Sequence, residues 1–344
     1  MGRRIAFCAD GTWDGTSNNT NVFKIYNAIT AIPGEQYKFY DSGVGADGLP
    51  LEKLVGGAFG TGLFQKVKDA YSSIASVYEK GDAIFIFGFS RGAYTARSVA
   101  GMIGACGLPT KNPDPNQVNI AFDAYRKKDQ RETLLNKLDG YGMVTPYINM
   151  VGVWDTVGSL GIPAIFGGVS PLLYGFLDTS LNPMIMNAYH AVAIDEKRVE
   201  FPPTLWTTTP SANQTISQVY FCGVHSDIGG GYADDPTTGT ALSDITLSWM
   251  IEKARALGLE IDPVATAKYE FPSESKNCLD AKHESWNPLW LFPKPRQIDA
   301  KATLANSVLL RCQHDTQYRP NNLSLQTSGL PVVGYGSEVV VLET

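Results

Sequence analysis

A serine set between two glycines, Gly88-Phe89-Ser90-Arg91-Gly92, follows an apolar run and leads into the segment Ala93 to Cys106. On a tight strand-to-helix turn such a hydroxyl is lifted clear of the sheet, with glycines where a Cβ would not fit. Ser90 is therefore the candidate nucleophile. Serine is weakly nucleophilic at neutral pH and needs a histidine base, itself oriented by a carboxylate. There are four histidines. His225 comes directly after the strand-like run Val219 to Val224, where ligands of open α/β sheets bind, and is preferred as the base. His190, inside a segment with helical spacing, is the alternative, while His283 and His314 lie in polar, irregular stretches. Asp155, immediately after the run Ile148 to Trp154, is the matching acid. Asp227 is its rival, or else ties down the loop Gly229-Gly230-Gly231. An oxyanion hole would take the Arg91 N–H and a second donor from Gly11 or Thr12, with Asp10 orienting that loop. The plainer alternative is that Asp10 to Gly15 forms only a turn and helix cap.

A second chemistry comes from Asp10, Asp14, Asp227, Asp234 and Asp235, since hard cations want several oxygens. A metal-dependent phosphoesterase would use such a cage, but no spacing here matches a known metal loop. The serine mechanism calls for no metal and no cofactor. With 28 Lys+Arg against 34 Asp+Glu and a net charge of -6, the chain has no basic stripe, so nucleic acid is excluded as a partner. The five cysteines show no C-x-x-C spacing and read as buried thiols. The short apolar stretch Ile5 to Cys8 cannot act as a signal peptide, so the expectation is synthesis in the cytoplasm and export, if any, by another route.

Stepping from these residues to their supports, Arg4 to Ala9, Tyr37 to Tyr40, Ala83 to Phe89, Ile148 to Trp154 and Val219 to Val224 read as strands. Helical spacing occurs in Asn21 to Ala31, Leu63 to Glu79, Ala93 to Cys106, Pro115 to Arg126, Asn182 to Ile194 and Ser243 to Leu257. Nearly continuous apolar strands alternating with helices predict a mostly parallel sheet covered on both faces. The expectation is one α/β-hydrolase-like domain over residues 1–344. Two excursions interrupt it, at about 158–181 and 261–297. The first is apolar and begins three residues after Asp155, which would suit either an acyl chain or core packing.

Five segments together resemble an α/β-hydrolase-like family that includes the phospholipase effectors of bacterial type VI secretion. They are Ala9 to Trp13, Gly88 to Ala93, Gly152 to Gly158, His190 to Glu196 and Val224 to Tyr232. The resemblance implies a Ser/Asp/His lipid esterase, with Ser90, Asp155 and His225 at the matching positions. It also implies a lipid or other ester substrate, contact with a membrane surface, and an immunity or secretion-apparatus protein as partner. Two departures stand out. The longest effectors carry a membrane-binding module for which this chain leaves no room. Some relatives have a histidine shortly before the segment matched by Ser307 to Arg311, where this chain has Leu304-Ala305-Asn306. A catalytically silent α/β binding module is the non-enzyme alternative.

Overall fold

Alternation along the first strand sets up the architecture. In β1 (Arg4–Ala9), Ile5, Phe7 and Ala9 enter one apolar cluster while Ala6 and Cys8 enter another, so both faces are buried. β3 (Ala83–Phe89) repeats the pattern, with Ile84 and Ile86 on one side and Phe85, Phe87 and Phe89 on the other. Strands buried on two faces need helices on two faces. The computed structural model describes residues 2–11, 19–43, 57–110, 113–157, 180–269, 277–287, 292–323 and 338–340. Within them, α1 (Asn21–Ala28) covers one face together with a later helix. The other face carries α2 (Gly57–Val77), α3 (Ser90–Cys106) and α4 (Pro115–Arg126). A full side chain such as Phe87, buried completely, contributes roughly 1.5 to 3 kcal/mol relative to exposure.

The chain runs from β1 to β2 (Gln36–Asp41) on one side of β1, then to β3 on its other side. A short ribbon of β4 (Leu108–Pro109) and β5 (Met143–Val144) follows, and β6 (Ile148–Trp154), β7 (Asn187–Ala193), β8 (Thr215–Phe221) and β9 (Thr303–Ala305) extend the sheet. The order is β10-β9-β8-β7-β6-β3-β1-β2, parallel throughout except for β10 (Glu338–Val340), which is antiparallel on β9. The direction of winding reverses between β1 and β3, the place where open α/β sheets bind ligands at the strands' carboxyl ends, and Ser90 directly follows β3 there. This is the α/β-hydrolase-like, mostly parallel sheet that the apolar strands predicted.

Two elements differ from expectation. Asn182 to Ile194 contains no helix: Asn187–Ala193 is strand β7, hydrogen-bonded between β6 and β8. Its alanines mimic helical spacing, but burial on both faces removes the polar face a surface helix would need. β8 lies earlier than Val219 to Val224, and its chain leaves the sheet at Phe221, so His225 opens a short helix, α6 (His225–Gly229), the next after the five-residue α5 (Arg131–Leu135). In the region 261–297, Ile261 pairs with Ile29 and α8 (Pro263–Thr266) follows α7 (Leu242–Ala256), while residues 270–276 and 288–291 lie outside the described residues. Residues 158–179, most of the apolar excursion, lie outside the described residues. Among the described residues no helix is long and apolar enough to cross a membrane, and all five cysteines are buried thiols.

Candidate active site

The turn after β3 is as tight as Gly-x-Ser-x-Gly requires. A Cβ on Gly88 would sit 2.5 Å from the Gly92 carbonyl oxygen, and one on Gly92 would sit 2.1 Å from that of Ala9. Ser90 has φ of 57°, a left-handed conformation that costs a non-glycine residue on the order of 1 to 2 kcal/mol. Asp155, with φ of 39°, is the only other non-glycine residue with positive φ among the described residues. Backbone strain is thus concentrated at the ends of β3 and β6, and both strained residues carry candidate functional groups.

His225 lies between them. Its Nδ1 is 2.6 Å from Asp155 Oδ2 and its Nε2 is 2.8 Å from Ser90 Oγ. An ionised carboxylate can only accept, so Nδ1–H donates to Asp155 and Nε2 is left to accept from the Ser90 hydroxyl. The imidazole packs against Phe89 and Phe201, with ring centroids 4.7 and 5.0 Å away. Burial, reinforced by the nearby Arg198 charge, holds the His225 pKa below the ordinary histidine range against the opposing pull of Asp155. The ring is therefore a neutral base at neutral pH. Its helix is pinned from α1: Asn21 Nδ2 donates to Ile228 O at 3.0 Å, and the buried Lys24–Asp244 pair at 2.7 Å joins α1 to α7.

Asp155 has a partner with no signal in the sequence. Arg296 donates from Nη1 to Oδ1 at 2.6 Å and from Nη2 to Oδ2 at 2.9 Å, while the Ala193 N–H donates to Oδ1 at 2.9 Å. Burial by itself would raise the Asp155 pKa. The Arg296 charge and the hydrogen bonds from His225 and Arg296 overturn that and hold the carboxyl far below its usual range. Arg296 follows Pro293-Lys294-Pro295, a stretch without periodicity or motif. Glu196 is the second unforeseen group. Fully buried, it accepts from the His225 N–H at 3.2 Å and forms a two-pronged pair with Arg198, both contacts at 2.9 Å. Burial would raise its pKa, but Arg198 outweighs this and lowers it to about 2.

The alternatives occupy other places. His190, on β7, is engaged elsewhere: its Nε2 accepts the Thr156 N–H at 3.1 Å, and burial lowers its pKa to about 3. It braces the turn that carries Asp155. Asp227 bonds to the Val224 N–H at 3.0 Å and to His283 Nδ1 at 2.7 Å, so its carboxylate serves the loop and not the base. Asp10 accepts from Thr20 Oγ1 at 2.5 Å, Tyr40 Oη at 2.7 Å and the Gly11 N–H at 2.7 Å. The Gly11 N–H is thereby engaged by Asp10; Thr12 lies outside the described residues. Arg91 is in the first turn of α3, where backbone N–H groups and the helix dipole favour negative charge. The acidic residues proposed as a metal cage are dispersed. Asp234 pairs with Lys268 at 3.8 Å, Asp235 accepts from Thr237 N at 2.8 Å, and Asp14 lies outside the described residues. A cavity of about 220 Å³ opens beside α3 and α4, lined by Arg97, Tyr125, Arg131, Asn182 and Trp206 among others, and it does not include Ser90.

A parallel sheet winding both ways from β1, with a serine on the elbow after β3 and a histidine and aspartate from later strand ends against it, defines an α/β-hydrolase-like protein. More specifically, the chain belongs to the family described as type VI secretion system phospholipase effector, Tle1-like, catalytic domain, which matches residues 3–253. It is also 28% identical over 273 residues to an uncharacterized protein, YEL023C, of Saccharomyces cerevisiae (strain ATCC 204508 / S288c). That match covers 71% of this chain and 38% of the yeast protein. Two solved structures are similar. One, an uncharacterized protein from Pseudomonas aeruginosa, has a TM-score of 0.48 at 17% identity, covering 79% of this chain and 49% of that one. The other, the Tle1 effector bound to the VgrG spike from the type 6 secretion system, has a TM-score of 0.47 at 14% identity, covering 79% and 77%.

Proposed function

We propose that this chain is a serine hydrolase of carboxylic esters acting on phospholipid. The observation that carries the reading is the continuous contact from Ser90 through His225 to Asp155, at 2.8 and 2.6 Å. In this mechanism Ser90 Oγ attacks the ester carbonyl as its proton passes to His225 Nε2. Asp155 holds the Nδ1–H and stabilises the imidazolium. The oxyanion is met by the Arg91 N–H at the start of α3. Collapse of the intermediate expels the alcohol, which takes the proton from His225 and leaves an acyl-serine. Water, activated by the same histidine, then releases the fatty acid and regenerates Ser90.

Phospholipid as the substrate rests on membership of the phospholipase effector family. That membership also supports delivery by a type VI route, with a secretion-apparatus protein as partner and a membrane surface as the place of action. The decisive experiment treats wild type and Ser90→Ala with a fluorophosphonate probe and with phosphatidylcholine and phosphatidylethanolamine vesicles. Wild type should be labelled and should release fatty acid, and the variant should do neither while keeping its fold. Equal labelling of the two proteins would remove Ser90 as the nucleophile. Labelling without fatty-acid release would leave a serine esterase of another substrate class.

A further inference from the structure

The proposed relay ends on a carboxylate that is buried completely, and this carboxylate does not face His225 alone. Arg296 meets both its oxygens, and the same guanidinium donates from Nη1 to Ala193 O at 2.9 Å and from Nη2 to Phe201 O at 2.7 Å. The fork is therefore fixed by the ends of β7 and by the loop beyond it. We propose that Arg296 is a positioning residue for the relay, clamping Asp155 into a neutral ion pair and so setting the proton affinity of His225. This rests on the serine-hydrolase reading for its role in turnover, though the clamp itself is independent of it.

The surrounding charges leave Arg296 as the countercharge of Asp155. Arg198, the other cation facing His225, is committed to Glu196. His190 of β7 faces Asp155 as a neutral ring, and Arg97 of α3 faces His190. Tyr220 of β8 faces Arg296, and burial raises its pKa, so it is an uncharged phenol there. Without Arg296, a naked carboxylate would lie 2.6 Å from the imidazole and would favour its protonated form. With Arg296, the pair presents little net charge, and His225 stays neutral and available as a base to lower pH.

The test follows the His225 ring directly by NMR of protein with isotope-labelled histidines, using His225→Ala to assign the signal. Arg296→Gln should raise the His225 midpoint by at least one pH unit, a tenfold gain in proton affinity. Arg296→Lys keeps the charge but not the two-pronged geometry, so it should restore most of the midpoint while slowing fluorophosphonate labelling. If Arg296→Gln does not fold, Asp155→Asn/Arg296→Gln should recover stability, because the stranded charge is removed with its partner. An unmoved His225 midpoint in folded Arg296→Gln overturns the clamp, as does a double variant no more stable than the single one. Absence of labelling in wild type would instead overturn the hydrolase reading, and the titration would still decide the clamp.

Discussion

At the residue scale, the members of the proposed relay should fail together, because a triad acts as a unit. His225→Ala removes the acceptor facing Ser90, and turnover should fall on the order of a thousandfold or more with little change in KM. Asp155→Asn should also fall steeply, since an amide in place of the carboxylate no longer selects the tautomer with the proton on Nδ1. It also leaves Arg296 without its countercharge. Steady-state kinetics on a soluble ester separates these from Asp227→Asn, whose carboxylate holds Val224 and His283 and should cost only a few-fold. An Asp227→Asn defect as deep as that of Asp155→Asn would reverse the assignment of the acid.

At the element scale, the position of Ser90 depends on how closely α3 approaches β1. Gly92→Ala would place a methyl group 2.1 Å from Ala9 O and 2.5 Å from Asp10 O, both backbone atoms that cannot swing aside. Overpacking of this kind costs about 1 to 3 kcal/mol. A thermal melt should show a clear drop in Tm together with loss of fluorophosphonate labelling. Gly140→Ala, where an added Cβ meets nothing within 4 Å, should leave both unchanged. The strands β1, β3 and β6 were legible because each is an apolar run closed by a residue of different chemistry, Asp10, Ser90 or Asp155. β7 was not, because Tyr189 and His190 interrupt its apolar run and its alanine spacing imitates a helix. Arg296 and Glu196 were illegible for another reason: Arg296 meets Asp155 across 141 residues, and Glu196, though paired with its neighbour Arg198, meets His225 across 29, and no local pattern encodes such contacts.

At the scale of the whole molecule, the buried charges make stability depend on pH. His190, with a folded pKa of about 3, and His225, also lowered, bind protons less readily folded than unfolded, so stability should fall once pH drops below about 6.5. Glu196, lowered to about 2, and Asp155, also lowered, contribute stability that is present above roughly pH 4 to 4.5 and lost on further acidification. Asp10 and Asp195, raised by burial, oppose that lower part. Denaturant unfolding across pH 3 to 8 should therefore show a plateau above about 6.5 and a decline below it. His190→Gln, which removes one titrating ring, should flatten the upper part of the decline; an unchanged slope would refute this account. The same long-range contacts have a consequence in time. Asp155 and Arg296 are 141 residues apart. A ribosome adding roughly 5 to 20 residues per second needs on the order of ten seconds to pass from one to the other. Until then the nascent polypeptide carries its serine elbow without the cation that pairs with Asp155 in the proposed relay. Ribosome-bound chains halted before Arg296 should accordingly be poor targets for the fluorophosphonate probe, and chains released at full length good ones, so that birth of the polypeptide and onset of its chemistry are separate events.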